Sequence, residues 1–404
     1  MKEVLKRYFG YDEFRYPQEE IIKSVLEKKD VFAILPTGGG KSLCYQIPAL
    51  KLKGITLVIS PLIALMKDQV DNLKSKGIPA EFINSSLAID ELAEIQFKIL
   101  MGEIKMLYIA PERLALESFR NFLKSANISL IAIDEAHCIS EWGHDFRPSY
   151  RELKNLRETF PNISIIALTA TATPKIQNDI CKQLSLIDPK IFISSFDRKN
   201  LSFIIIKKRD AFPKLVDLLK KHEEGSSIIY CFSRNEVEKI SEKLKAKGFN
   251  VLAYHAGLNG NIRKFHQEQF IQNKVKIVVA TIAFGMGIDK PDVRLVVHYS
   301  FPKTMEGYYQ EIGRAGRDGL KSECVLFYSK SDLYKHEFFI EKMDDEQIKE
   351  NTKKRLDIVI GYCNTNKCRR RFLLNYFGEK FLEDNCKSCD NCLNSPKFEN
   401  PFKD

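Results

Sequence analysis

Directly after the apolar run VFAIL the chain reads LPTGGGKS, Leu35 to Ser42, and passes at once into LCYQIPAL. Few segments restrict a fold so tightly. A buried strand must end in a loop whose consecutive glycines, Gly38, Gly39 and Gly40, reach backbone conformations closed to other residues, and a helix must start immediately afterwards. The amides of such a loop point inward and cradle phosphate oxygens. Thr37 lines the cradle, Lys41 reaches the terminal phosphates and Ser42 can hold magnesium. Leu35 stands where the strict GxxxxGK[ST] pattern has its first glycine. A glycine turn that only caps a helix is the alternative, and the strand–loop–helix order argues against it.

Two carboxylates complete the chemistry. LIAIDEAH, Leu130 to His137, ends another apolar run with Asp134, placed to hold magnesium through water, and Glu135, able to orient and deprotonate an attacking water. Adjacent acids after a strand are also common in exposed turns. The phosphate loop upstream is what gives this pair its meaning.

Apolar β-branched runs recur between amphipathic stretches: VFAIL, TLVIS, MLYIA, LIAID and SIIALT, then SIIYCF, VLAYHA, KIVVAT and LVVHY. This alternation predicts an α/β fold of two parallel-sheet lobes covered by helices. The segment from Ser194 to Phe203 reads as the linker between them. After CVLFYS the pattern turns helical from Lys335 to Phe377. The expected organisation is lobe 1 over residues 1–200, lobe 2 over 201–332, a small helical domain over 333–395 and a tail over 396–404.

With 404 residues the chain is long enough for two or three domains, and its net charge of +10 is compatible with a polyanionic partner. Its apolar runs are too short to cross a bilayer. MKEVLKRYFGYDEF lacks an apolar h-region followed by a cleavage site, which predicts a cytoplasmic protein. Six cysteines (Cys44, Cys138, Cys181, Cys231, Cys324, Cys363) are scattered and read as reduced thiols.

LPTGGGKS, DEAH, LTATAT (Leu168 to Thr173) and QEIGRAGRDG (Gln310 to Gly319) resemble, in this order, the helicase motifs of superfamily 2. The resemblance implies two RecA-like lobes of P-loop NTPase type with ATP between them. It further implies that Gln310 and Arg314 line the cleft, that Arg317 is the arginine finger and that Asp289, in ATIAFGMGIDKP, lies near the nucleotide. Arg314 and Arg317, three apart, would face the same way on a helix.

DEAH leaves DNA and RNA open. CISEWGHDFRPSY, Cys138 to Tyr150, resembles the aromatic-rich loop of RecQ helicases, and Trp142 is the single tryptophan of the chain. Trp142 and Phe146 offer faces on which single-stranded bases stack, with Arg147 beside them for phosphate; packing in the lobe core is the competing reading. YFGYDEFRYPQEEII, Tyr8 to Ile22, is similar to the RecQ amino-terminal motif. By that resemblance Tyr11 and Arg15 sandwich adenine and Gln18 hydrogen-bonds its edge. YIAPERL and SPLIALMKDQV resemble segments that track the DNA backbone.

Cys386, Cys389 and Cys392 form CxxCxxC, with Cys368 ahead of them in NKCRRRFLLNYFGE. Four thiolates suit tetrahedral Zn²⁺ in a structural site, and also iron and sulfur. Resemblance to the RecQ zinc-binding domain selects zinc, and Cys368 over Cys363 as first ligand. Arg369, Arg370 and Arg371 then read either as phosphate contacts or as a charged helix face.

The family implies an ATP-dependent DNA helicase moving 3′ to 5′, with ATP, Mg²⁺ and Zn²⁺. Single-stranded and forked or tailed duplex DNA would be its partners, with DNA-repair proteins beside them, and the chain would be a chromosome-associated monomer in recombination and repair. Larger members carry a winged-helix domain and a further helical domain after the zinc site, where this chain has only NSPKFENPFKD. A DNA-stimulated ATPase with a binding or annealing role, and an RNA helicase, are the alternatives.

Overall fold

The structure, a computed structural model, describes residues 1–394 apart from 62, 85, 86, 144, 286, 287 and 289. Two compact units emerge, Met1–Ser195 and Phe196–Asp404.

The first unit is built on a seven-stranded sheet of β1 (Val31–Ile34), β2 (Ile55–Ile59), β3 (Ala80–Ile83), β4 (Met106–Ile109), β5 (Ile128–Ile133), β6 (Ile165–Thr169) and β7 (Lys190–Ile193). Their order is β3-β4-β2-β5-β6-β1-β7, and every pairing is parallel. Strands β1, β2, β4 and β6 are buried at every position, which is why they read as unbroken apolar runs. Helices Gln18–Leu26, Leu43–Lys51 and Ile63–Ser75 supply part of the core, where Ile21, Tyr45 and Met66 pack with Val31, Val58 and Leu168. The neighbours β5, β6 and β1 end side by side, so the DEAH acids, Thr169 and the phosphate loop emerge at one edge of the sheet.

Strands β3 and β7 lie outside the five apolar runs. In β3, AEFI, the two central residues are only half buried, and β7, KIFI, is an edge strand that is mostly exposed.

The second unit holds β8 (Leu201–Lys207), β9 (Ser226–Tyr230), β10 (Val251–Tyr254), β11 (Ile277–Ala280), β12 (Val293–His298) and β13 (Ser322–Tyr328). They form a parallel sheet in the order β10-β11-β9-β12-β13-β8. Its core joins Leu215, Val237 and Leu244 to Ile229, Val279, Val297 and Phe327. The expected linker is therefore cut short: Leu201 to Phe203 are already strand, paired with Ser322 to Cys324.

Helices Lys330–Glu341, Glu346–Asn364, Arg369–Tyr376 and Asp390–Asn394 follow within the same compact unit. Among the described residues no strand follows β13, although Phe203 and Cys389 form an isolated parallel bridge. Cys44, Cys138, Cys231, Cys324 and Cys363 are buried free thiols and Cys181 is half buried.

Candidate nucleotide and nucleic-acid site

The phosphate loop is fixed by its glycines. Gly38 and Gly40 have φ of 78° and 74°, where a side chain is strained. At Gly39 a Cβ would stand 2.8 Å from the Pro36 carbonyl oxygen, and at Gly40 one would stand 2.4 Å from Gln18 Nε2. The Gly39 amide donates to Pro36 at 2.8 Å and the Leu43 amide to Gly40 at 3.1 Å, which turns the chain into the helix Leu43–Lys51. Among the described residues, no backbone carbonyl accepts from the amides of Gly40, Lys41 and Ser42. Free donors on a loop of this curvature fit a bound polyphosphate.

The amino-terminal motif meets this loop directly. Arg15 donates to the Gly38 carbonyl at 2.8 Å, and Gln18 Nε2 to the carbonyls of Gly39 and Gly40 at 3.1 and 3.2 Å. Gln18 Oε1 accepts from the Arg15 amide at 2.9 Å. Gln18 is buried and both ends of its amide are engaged, so here Arg15 and Gln18 act as a latch on the loop carbonyls. The loop carbonyls thus take donors from Arg15 and Gln18, contacts additional to the adenine contacts that the family resemblance implies. Tyr11 remains exposed.

Asp134 follows β5 and is held by its own amide, which donates to Ile59 at 2.9 Å. Burial pushes its carboxyl up to about 7, with the Glu135 charge adding to the rise and Lys41 pulling the other way. Glu135 adopts left-handed φ and ψ of 46° and 47°, an uncommon conformation for a non-glycine residue. Its carboxylate lies 3.3 Å from His137 Nδ1, which also stands 2.8 Å from Thr169 Oγ1. Thr169 in turn donates to the Thr171 carbonyl at 3.2 Å. The DEAH and LTATAT segments thus form one buried polar network, and sequence reasoning gave His137, Thr169 and Thr171 no role in the site. Their adjacency follows from β5 pairing with β6, a long-range fact that local patterning does not carry.

The aromatic-rich loop springs from the same network. Arg147 forms two hydrogen bonds to Asp145, at 3.2 and 3.1 Å, and a third to the Pro61 carbonyl at 2.8 Å. Gly143 closes the turn, since a Cβ there would stand 2.4 Å from the His137 carbonyl oxygen. Tyr150, fully buried, donates from its hydroxyl to the Asp134 carbonyl at 3.0 Å. Trp142 and Phe146 are half buried and do not belong to the core cluster built on Val31, Val58 and Leu168.

In the second unit, Gln310 lies on the helix Met305–Ile312, but Arg314 and Arg317 lie in the turn beyond it. They do not share a helix face, because the helix stops at Gly313. Arg314 is buried and donates to the Gly285 carbonyl, while Arg317 is half buried. Asp289 lies outside the described residues.

Cys368, Cys386, Cys389 and Cys392 converge, their Sγ atoms all within 4.8 Å of one another; Cys363 is not among them. Ligand–ligand separations of about 3.8 Å follow from tetrahedral geometry and ordinary zinc–thiolate bond lengths, so the donor set fits Zn²⁺. Cys368 caps the helix Arg369–Tyr376, accepting from the Arg371 amide at 3.5 Å, and Ser388 Oγ donates to Cys386 at 3.5 Å. Within the cluster, hydrogen bonding from Cys368 and Cys389 pushes the Cys386 thiol down, while the same contacts push Cys368 up and burial pushes Cys392 up, so the thiols titrate together.

The arginines after Cys368 do not form a phosphate-binding face. Arg369 and Arg370 are buried: Arg369 pairs with Asp390 and donates to the Tyr362 carbonyl at 2.7 Å. Arg370 pairs with Asp197 and donates to the Arg198 and Leu201 carbonyls at 2.9 and 2.6 Å. Arg371 reaches Asp384 at 3.0 Å. Buried guanidinium groups need full pairing, which Asp390 and Tyr362 supply for Arg369 and the chain from Asp197 to Leu201 supplies for Arg370.

Residues 15–180 match DEAD/DEAH box helicases, 208–319 the helicase conserved C-terminal domain and 330–393 the RecQ zinc-binding domain. The ATP-dependent DNA helicase RecQ of Pasteurella multocida is 47% identical over 98% of this chain, which covers 62% of that protein. A protein of Acanthamoeba polyphaga mimivirus, whose name proposes an ATP-dependent RNA helicase, is 44% identical over 97% of the chain, which covers 72% of it. Among solved structures, the DEAD-box helicase Mss116 bound to single-stranded RNA aligns with a TM-score of 0.68 at 19% identity, over 88% of this chain and 80% of that one. That likeness concerns the fold, two parallel-sheet lobes of RecA type, and with the matched domains it defines the helicase class. The chain belongs to the RecQ family of helicases. It spans 62% to 66% of the length of the bacterial relatives it matches.

Proposed function

We propose that this chain is an ATP-driven DNA helicase motor that moves 3′ to 5′ along single-stranded DNA and opens duplexes, in recombination and repair. The observation that carries this reading is the direct tie between the catalytic acids and the aromatic-rich loop, made by Tyr150 on the Asp134 carbonyl. A strand stacked on Trp142 and Phe146 can then reposition the acids that act on ATP.

In this mechanism the loop amides and Lys41 bind the phosphates, with Thr37 and Ser42 completing the cradle. Magnesium, when bound at Ser42 and Asp134, neutralises charge on the phosphate oxygens. Glu135 orients the attacking water and takes its proton, while His137 and Thr169 hold Glu135 in place. Gln310 and Arg317 supply the polar and cationic groups of the second lobe, with Arg317 as the finger that neutralises charge on the γ-phosphoryl group. Arg314 supports the loop at Gly285. Cys368, Cys386, Cys389 and Cys392 would hold zinc as a structural ion.

A second reading, RNA as the strand followed, draws on the name of the mimivirus relative. The test is ATP-driven unwinding of 3′-tailed, 5′-tailed and blunt duplexes, each as DNA and as RNA. Opening of 3′-tailed DNA is the expected result. Preference for RNA would transfer the assignment to the second reading, and DNA-stimulated hydrolysis without unwinding would reduce it to a strand-binding ATPase.

A further inference from the structure

Trp142, proposed above to receive a base, does not present an open ring. Lys175 Nζ lies 2.9 Å from the ring centroid, although Lys175 is otherwise exposed. Phe146 is covered in the same manner by Arg151 at 5.1 Å, itself paired with Glu141. Each of the two aromatic rings carries a cation from this chain over one face.

The position of Lys175 is informative. It is the second residue of the helix Pro174–Gln183, where its charge opposes the positive end of the helix dipole. The helix gains nothing from a lysine there, and its ammonium is turned onto the ring although the residue is exposed to water. The same helix follows LTATAT without a break, and Thr169 and Thr171 of that segment form the network with His137 and Glu135. A cation standing on Trp142 is therefore joined through a short stretch of chain to the residues around the catalytic acid.

We propose that Lys175 is a placeholder on Trp142: it occupies the face that a nucleobase would take, and a base must displace it to stack. The proposal rests on the reading of Trp142 as a strand-binding residue. A base and an ammonium cannot share one face at these distances. Displacement exchanges a cation–π contact at an exposed site for base stacking, the stronger of the two. The resting loop is thereby held in its unbound arrangement, and the lysine sets how much single strand is needed to switch the ATPase on. Loss of an exposed cation–π contact corresponds to about two- to fivefold in an equilibrium constant.

Because Trp142 is the one tryptophan, its fluorescence reports this face alone. The experiment compares the wild-type chain with Lys175→Met, which keeps length and loses charge, and Lys175→Arg, which keeps the cation. Acrylamide quenching is measured without nucleic acid, and ATP turnover is measured against oligo(dT) concentration. Lys175→Met is expected to raise quenching and lower the half-maximal oligo(dT) concentration about two- to fivefold with kcat at saturation retained, while Lys175→Arg behaves as wild type. Unchanged quenching in Lys175→Met overturns the placeholder. A higher half-maximal concentration in that variant also overturns it and makes Lys175 a phosphate contact. Absence of any stimulation of the wild-type chain by DNA or RNA defeats the functional reading, whereas unchanged quenching in Lys175→Met with DNA stimulation intact defeats the placeholder alone.

Discussion

The hydroxyl of Tyr150 donates to the backbone carbonyl of Asp134 across 3.0 Å, so the aromatic-rich loop ends on the residue that opens the DEAH segment. Tyr150→Phe removes this donor and leaves a buried carbonyl without it. Stability of the first unit should fall by about 1 kcal/mol in urea unfolding. DNA-free ATP turnover should persist, while stimulation by single-stranded DNA drops severalfold. Equal loss of both activities would mean that Tyr150 supports only the fold.

Lys41 is the one lysine of the phosphate loop, and its charge also acts on Asp134. Lys41→Ala should lower ATP turnover at least about 100-fold, the scale of losing a charged donor to a transition state. Circular dichroism and thermal unfolding should change little. Near-normal turnover would remove the phosphate cradle from this loop.

Gly40 is held by two constraints at once, its positive φ and the proximity of Gln18. Gly40→Ala should weaken nucleotide binding by about tenfold or more through strain of about 1–2 kcal/mol in addition to the clash. Adding Gln18→Ala should relieve the clash but not the backbone strain, so binding measured by calorimetry should recover only in part.

Much of this site was legible because its chemistry is local. LPTGGGKS and DEAH announce themselves by residue type and by the strands before them. What stayed hidden depends on distant partners. Arg370 reads as a charged helix face until Asp197, far upstream, is seen to pair with it, and the bonds from Gln18 to the phosphate-loop carbonyls join residues 21 and 22 positions apart. Strand β7 escaped because an exposed edge strand has no need of an apolar run, and β8 because its first residues share the polar segment that looks like a linker.

Metal removal offers another check. The Phe203 amide donates to the Ser388 carbonyl at 3.3 Å and the Ile205 amide to Asp390 at 3.0 Å, both beside the cysteine cluster. Cys386→Ser, or chelation, should raise hydrogen exchange at Phe203 and Ile205 well before the phosphate loop is affected. Zinc release should amount to about one ion per chain, as expected of a closed four-thiolate site. Unaltered exchange at these amides would detach the cluster from β8.

Glu323 gives the pH dependence. His222 at 3.0 Å, then Lys221, hold its carboxyl down to about 2 against the opposing effect of burial. A lowered native value stabilises the fold above the ordinary carboxylate range, and that contribution disappears as pH falls through the native value. Glu323→Gln should cost about 1 kcal/mol near pH 7, allowing for solvent screening. The gap should narrow steadily between pH 4.5 and 2 in urea titrations; a gap that widens on acidification would contradict the assignment.

Among the described residues strand β8 pairs in the sheet only with β13, and Ser202 and Ser322 stand 120 residues apart along the chain. On a ribosome working at about 5–20 residues per second, β8 leaves the exit tunnel roughly 6–24 s before β13 does. During that interval its backbone amides and carbonyls are open to any other strand that passes. The nascent protein therefore carries an adhesive edge through that interval, and the arginine and cysteine segments that follow β13 are the ones that cover it.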